Sequence, residues 1–192
     1  MSNCLILTHG AGSNRNAPLL VAVANAFVQA GVEVVRYDLP FRQERPHGPP
    51  RPGDAAHDRA GLRIEVQKLG EKKAKTVWLG GHSYGGRQVS MLAAEAPDLA
   101  DRLLLLSYPL HPPRKPEQLR TAHFPQLRTP ALFVHGSRDP FGATEELKAA
   151  IALIPAETAL LEIEGAGHDL GRNHAAVAAR IVTAWFSTEG AG

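Results

Sequence analysis

Short runs of Leu, Ile and Val recur along the chain, and between them lie stretches with the three-to-four-residue spacing of amphipathic helices. Leu5 to Thr8 is the first run, followed by Leu19, Val23, Phe27 and Ala30 at helical spacing and by Gly31 as a stop. Val32 to Tyr37 reads as a second strand. A segment rich in Pro, Gly and Arg, Leu39 to Gly53, reads as a loop, with Asp54 placed to cap a helix carrying Leu62, Val66 and Leu69 on one face. Thr76 to Leu79 is a third strand, leading through a glycine-rich turn into a helix that includes Met91 and Ala94 and stops before Pro97. Leu103 to Leu106, Ala131 to Val134 and Ala159 to Ile163 complete six strands. A Pro-rich irregular segment, Tyr108 to Thr129, follows the fourth; a helix through Leu147 and Ile151 follows the fifth; and a last helix spans Asn173 to Phe186.

Strands that alternate with helices require crossover connections, hence a parallel sheet covered on both faces. Unbroken apolar strands agree with that burial. The fold class expected is α/β: one domain over 1–192, with a trimmed, mostly parallel sheet of about six strands, helices on both faces and no large lid. At 192 residues, 44 % hydrophobic and 21 % charged, the composition is that of an ordinary globular domain. A formal charge of +2 gives no reason to expect nucleic acid or a membrane as partner. The single cysteine, Cys4, cannot form an internal disulfide and reads as a buried hydrophobe. No stretch approaches the roughly 20 apolar residues that span a bilayer, and the chain opens without the pattern of a secretion signal, so the expectation is a cytoplasmic protein.

In open α/β sheets reactive groups gather beyond the carboxyl ends of the strands. Four polar segments stand there: His9-Gly10-Ala11-Gly12, Gly81-His82-Ser83-Tyr84-Gly85, Gly136-Ser137-Arg138-Asp139 and Gly165-Ala166-Gly167-His168. The second fits a nucleophile elbow, Gly-x-Ser-x-Gly, between a strand and a helix. There Ser83 adopts a strained backbone that exposes its hydroxyl, and side chains two residues to either side would collide with neighbouring segments. A serine hydroxyl needs a base to take its proton, and the base needs an acid to orient it. His168 is the expected base and Asp139 the expected acid. His174 competes for the first role but falls in the final helix. Asp169 and Asp38 compete for the second, the former adjoining His168 and the latter following the second strand. The backbone N–H groups of Tyr84 and Ala11 are the expected oxyanion hole.

The same four segments, together with Leu7-Thr8 before the first and Pro140-Phe141 after the third, resemble the compact branch of the α/β-hydrolase superfamily, near the dienelactone-hydrolase-like group. Dienelactone hydrolases proper carry cysteine where this chain has Ser83, so their substrate is not carried over. The chain also begins at what is usually the superfamily's third strand, which is why the sheet is expected to be trimmed. The resemblance implies a serine hydrolase of the carboxylesterase or thioesterase kind, cleaving a small-molecule acyl substrate without cofactor or metal.

Around this centre several residues carry two readings. His9 reads as a loop buttress rather than a proton carrier, and His82 as facing the core or a neighbouring loop. Arg87 reads either as pairing with a nearby carboxylate or as meeting an acidic substrate group. Arg42, Arg45 and Arg51 read as a solvated, proline-stiffened loop or, if it bends over the site, as selectors of anionic substrates. Tyr84, Tyr108, Phe41 and Phe141 are candidate walls of a shallow, open site. Two rivals stand beside the hydrolase. A dinucleotide fold is mimicked by Gly10-x-Gly12 with Asp38, but Arg15 occupies the third glycine position. A non-catalytic interaction module of the same fold is the other.

Overall fold

The structure, a computed structural model, describes residues 2–71 and 74–188. Six strands, β1 (Asn3–Thr8), β2 (Glu33–Tyr37), β3 (Thr76–His82), β4 (Arg102–Leu106), β5 (Ala131–Gly136) and β6 (Thr158–Ile163), form one sheet in the order β2-β1-β3-β4-β5-β6. Every pairing is parallel. The unbroken apolar runs are explained by burial on both faces. Along β1, Cys4 and Ile6 enter one core while Leu5 and Leu7 enter the other, and β4 divides Leu103 and Leu105 from Leu104 and Leu106 in the same way.

Helices α1 (Pro18–Gln29) and α6 (His174–Ser187) cover one face, burying Leu19, Val23, Phe27, Val177, Ile181 and Trp185. On the other face lie α2 (Pro40–Glu44), α3 (Asp54–Glu71), α4 (Tyr84–Glu95) and α5 (Thr144–Ile151). Leu62, Val66 and Leu69 of α3 are all buried, as their spacing requires. α1 gives way to a Gly31 at φ +84°, the left-handed residue that ends many helices. At the far end of the sheet Arg102 closes the last helix: its Nη1 donates to the Trp185 carbonyl at 2.7 Å and its guanidinium lies 4.0 Å from the Trp185 ring centre.

Two expectations are corrected. The segment 39–53 is not all loop, because Pro40 at the first helical position starts the five-residue α2, which is too short to show periodicity. β3 also runs past Leu79 to His82, since Gly80, Gly81 and His82 stay in register with Leu104, Leu105 and Leu106. The excursion between β4 and β5 is irregular, with one 3-10 turn (Phe124–Gln126), yet it is packed down: Tyr108, Leu110, Phe124 and Leu127 are fully buried. Cys4 is a free, buried thiol. No helix among the described residues is long and apolar enough to cross a membrane.

Candidate functional site

Three connections converge beyond the carboxyl ends of β3, β5 and β6. Ser83 lies between β3 and α4 with φ +52° and ψ −117°, a conformation an L-residue holds only when its surroundings enforce it. The enforcement is visible on both sides. Ser83 N–H donates to the Leu106 carbonyl at 2.8 Å, continuing the sheet, and Arg87 N–H donates to the Ser83 carbonyl at 3.0 Å, opening the helix. A Cβ on Gly81 would stand 2.5 Å from the Gly85 carbonyl carbon, and one on Gly85 would stand 2.5 Å from the His9 carbonyl oxygen, so neither position has room for a side chain.

The structure brings the three expected side chains together. Ser83 Oγ is 2.7 Å from His168 Nε2, and His168 Nδ1 is 2.8 Å from Asp139 Oδ2. With Nδ1–H donating to the carboxylate, Nε2 is left to accept the serine proton. Asp139 is buried; its other oxygen accepts the Phe141 N–H at 2.9 Å, and the Phe141 ring sits 4.2 Å, centre to centre, from the His168 ring. His135 stands behind the acid, Nδ1 4.0 Å from Asp139 Oδ2, and its Nε2 donates to the Gly142 carbonyl. The competitors lie elsewhere. Asp169 accepts the Gly171 N–H, His174 opens α6 with Nε2 against the Asp169 carbonyl, and Asp38 accepts the Arg15 N–H at 2.6 Å.

The first loop is held by polar groups that the sequence only partly disclosed. His9 is fully buried: Nδ1–H donates to the Gly10 carbonyl and Nε2 accepts the Leu39 N–H, so burial lowers its pKa and keeps the ring neutral. Arg42, expected in a solvated loop, is buried instead. Its guanidinium donates to the Ser13, Arg45, Ala11 and Gly48 carbonyls at 2.7 to 3.1 Å. Arg45 pairs with Asp54, and only Arg51 of the three is exposed. Ser13 N–H closes the turn onto the Gly10 carbonyl, placing Ala11 at its tip. Opposite it, Tyr84 N–H begins α4 and so has no carbonyl one turn earlier to meet.

His82, next to Ser83, donates Nε2–H to the His168 carbonyl at 2.8 Å and so ties the His168 loop to the turn at Ser83. Burial brings its pKa down to about 4. The Tyr84 hydroxyl donates to Asp58 Oδ2 at 2.7 Å, burial raises both pKa values, and Asp58 also accepts the Phe41 N–H. Asp58 was not singled out in the sequence, where it is one acidic residue on a polar helix. Two of the expected aromatic walls are core instead: Tyr108 and Phe41 are buried, leaving Tyr84 and Phe141 at the site. Among the described residues Arg87 makes no ion pair, contrary to the expectation of a carboxylate partner, and its Nε is buried without a hydrogen bond. Among the described residues no group of three or more His, Cys, Asp and Glu side chains is arranged to hold a metal ion.

Residues 1–180 match the model of a family described as an alpha/beta hydrolase domain. Among solved structures, an alpha-beta serine hydrolase homologue from Coxiella burnetii superposes with a TM-score of 0.79 at 18% identity, covering 96% of this chain and 85% of that one. A dienelactone hydrolase from Anabaena variabilis gives 0.76 at 22% identity, covering 97% and 86%. A monoacylglycerol lipase from Paleococcus ferrophilus gives 0.72 at 17% identity, covering 97% and 95%. At these identities the likeness is one of fold.

Proposed function

As this chain belongs to the alpha/beta hydrolase domain family, we propose that it is a serine hydrolase that cleaves a small carboxylic ester or thioester through an acyl-enzyme. The observation that carries this reading is the unbroken relay from the Ser83 hydroxyl through His168 to the buried Asp139, at 2.7 and 2.8 Å. Ser83 attacks the carbonyl as His168 takes its proton, and Asp139 stabilises the imidazolium without itself becoming protonated. The N–H groups of Tyr84 and Ala11 meet the oxyanion, helped by the positive end of α4. His168 then protonates the leaving alkoxide or thiolate, and a water activated by the same imidazole releases the acid. Esters and thioesters suit the site better than amides because their leaving groups depart more easily.

The test is a series of p-nitrophenyl esters of rising chain length, run on the native chain and on Ser83→Ala. The variant is expected to lose on the order of 10⁴-fold or more in kcat. Equal rates for the two proteins would remove the mechanism. A fluorophosphonate probe separates the rival reading: labelling that depends on Ser83 supports the hydrolase, and folded protein that takes no label supports the interaction module.

A further inference from the structure

Arg87, in the first turn of α4, and Arg120, in the β4–β5 excursion, lie close enough for both charges to act on Tyr108 and for that of Arg87 to lower the pKa of Arg120, and neither makes an ion pair among the described residues. Arg87 Nε is buried without a hydrogen-bond partner. Among the described residues the Arg120 side chain makes one hydrogen bond, a long one of 3.4 Å to the Pro109 carbonyl. Both are half-buried, and the charge of Arg87 bears on Arg120, Tyr108 and His123 alike. Arg59 Nε is likewise buried without a hydrogen bond, but Arg59 has an anion, Glu95, at 2.9 Å, and its Nη1 donates to the Gln88 side-chain oxygen at 3.0 Å. Gathering two guanidiniums away from bulk water without an anion costs free energy. A fold that can pair Arg59 leaves this pair open to something from outside.

The pair flanks the candidate site. Arg87 lies in the first turn of α4, its N–H on the Ser83 carbonyl, about 6 Å of helix rise from Ser83. Arg120 N–H is bonded to the Leu110 carbonyl, and the next residue, His111, bonds the Phe141 carbonyl, so this stretch is stitched to the ring that covers His168. On the opposite side of the nucleophile is an apolar pocket of about 190 Å³ lined by Gly10, Leu19, Leu20, His82, Asp169 and His174. It adjoins the His168 loop, where a leaving group must receive its proton. The acyl part is then directed toward the arginines.

We propose that Arg87 and Arg120 bind a carboxylate at the far end of the acyl chain, so that the preferred substrates are half-esters of short dicarboxylic acids. This rests on the ester-hydrolase reading of the site. Two guanidinium forks match the planar, two-oxygen geometry of a carboxylate, and such charge-assisted bonds are the stronger kind.

The experiment compares monomethyl glutarate with methyl hexanoate, which has similar length and no charge, by methanol release at low ionic strength. The native chain is expected to favour the half-ester by about tenfold in kcat/KM. Arg87→Gln brings that ratio toward one, chiefly through KM, and Arg87→Lys restores part of it. Salt at about 0.5 M erodes the preference. A ratio near one in protein whose methyl hexanoate hydrolysis depends on Ser83, or a preference that survives Arg87→Gln, overturns the proposal; Arg120→Gln gives the same reading if Arg87→Gln does not fold. Calorimetry of glutarate with Ser83→Ala protein reads the subsite apart from turnover. Heat that vanishes when Arg87→Gln is added supports it, and no binding to the folded variant overturns it. Glutarate binding through Arg87 in a chain that cleaves neither ester would sink the hydrolase reading and leave the anion site standing.

Discussion

Arg42 and Arg87 stand on opposite sides of Ser83, both withdrawn from solvent, and they are treated in opposite ways. On the first-loop side all three guanidinium nitrogens of Arg42 donate, in four bonds to backbone carbonyls, and His9 is likewise bonded at both nitrogens. On the excursion side Arg87 Nε, Gln88 Nε2 and Ser107 Oγ are buried without partners. A guanidinium that is fully bonded to the protein is scaffolding, because its bonds fix the segments that supply them. Arg87, with its Nε unbonded, makes no such tie through that atom. The difference predicts opposite responses to mutation.

The largest effect is expected from Arg42→Ala. It strands the carbonyls of Ala11 and Ser13 and removes charge-assisted bonds from a buried position, at a cost of about 3 kcal/mol. For a chain of this size that lowers Tm by roughly 10 °C in a calorimetric scan. Activity should fall as well, since Ala11 loses its anchor; a Tm within two or three degrees of the native value would show that the staple is not structural. Gly85→Ala attacks the same side from the helix. Its Cβ would lie 2.5 Å from the His9 carbonyl oxygen, an overlap only backbone movement relieves, costing about 2 kcal/mol. Unfolding midpoints in urea should report that loss with the slope unchanged.

That asymmetry was only half legible in the sequence. The strands were legible because burial on both faces demands continuous apolar runs, and Leu103 to Leu106 could be little else. Ser83, Asp139 and His168 were legible because each stands in a glycine-rich connection at a strand end, where local pattern and chemistry coincide. Arg42 was not, since an arginine among prolines looks solvated, and its burial depends on carbonyls up to 31 residues away. Phe41 and Tyr108 read as walls in the sequence yet are buried, because sequence cannot say which side of a loop an aromatic ring faces. The want of a partner for Arg87 is likewise a property of distant neighbours: position alone suggests a carboxylate pair, and none forms among the described residues.

Two histidines compare the sides through pH. His82, at the end of β3 and bonded to the His168 loop, and His123, on the excursion, each have pKa values brought down to about 4. Burial is the main reason in both, and at His123 the positive charge of Arg87 adds to it, whereas at His82 the opposing charge is that of His168. Between about pH 6.5 and 4 the unfolded chain binds protons these rings refuse, so their contribution to stability, complete above 6.5, declines through that window and is gone below about 4. Titration of the imidazole resonances by NMR should find His123 moved upward in Arg87→Gln while His82 stays in place. A His123 unmoved by loss of that charge would mean Arg87 does not face the excursion.

The smallest effect, and the one most specific to the comparison, is the stability of Arg87→Met. Truncating a fully bonded buried arginine leaves its acceptors orphaned, but Arg87 offers no acceptors to orphan at Nε. What the substitution removes is a desolvated charge beside Arg120, whose own guanidinium is held below its usual pKa by burial and by that neighbour. Methionine keeps much of the apolar stem packing while relieving the repulsion. Stability should therefore be unchanged or raised by about 0.5 kcal/mol, with Tm up by a degree or two. A loss comparable to that of Arg42→Ala would show that Arg87 is scaffolding after all and that the two sides of the nucleophile are built alike.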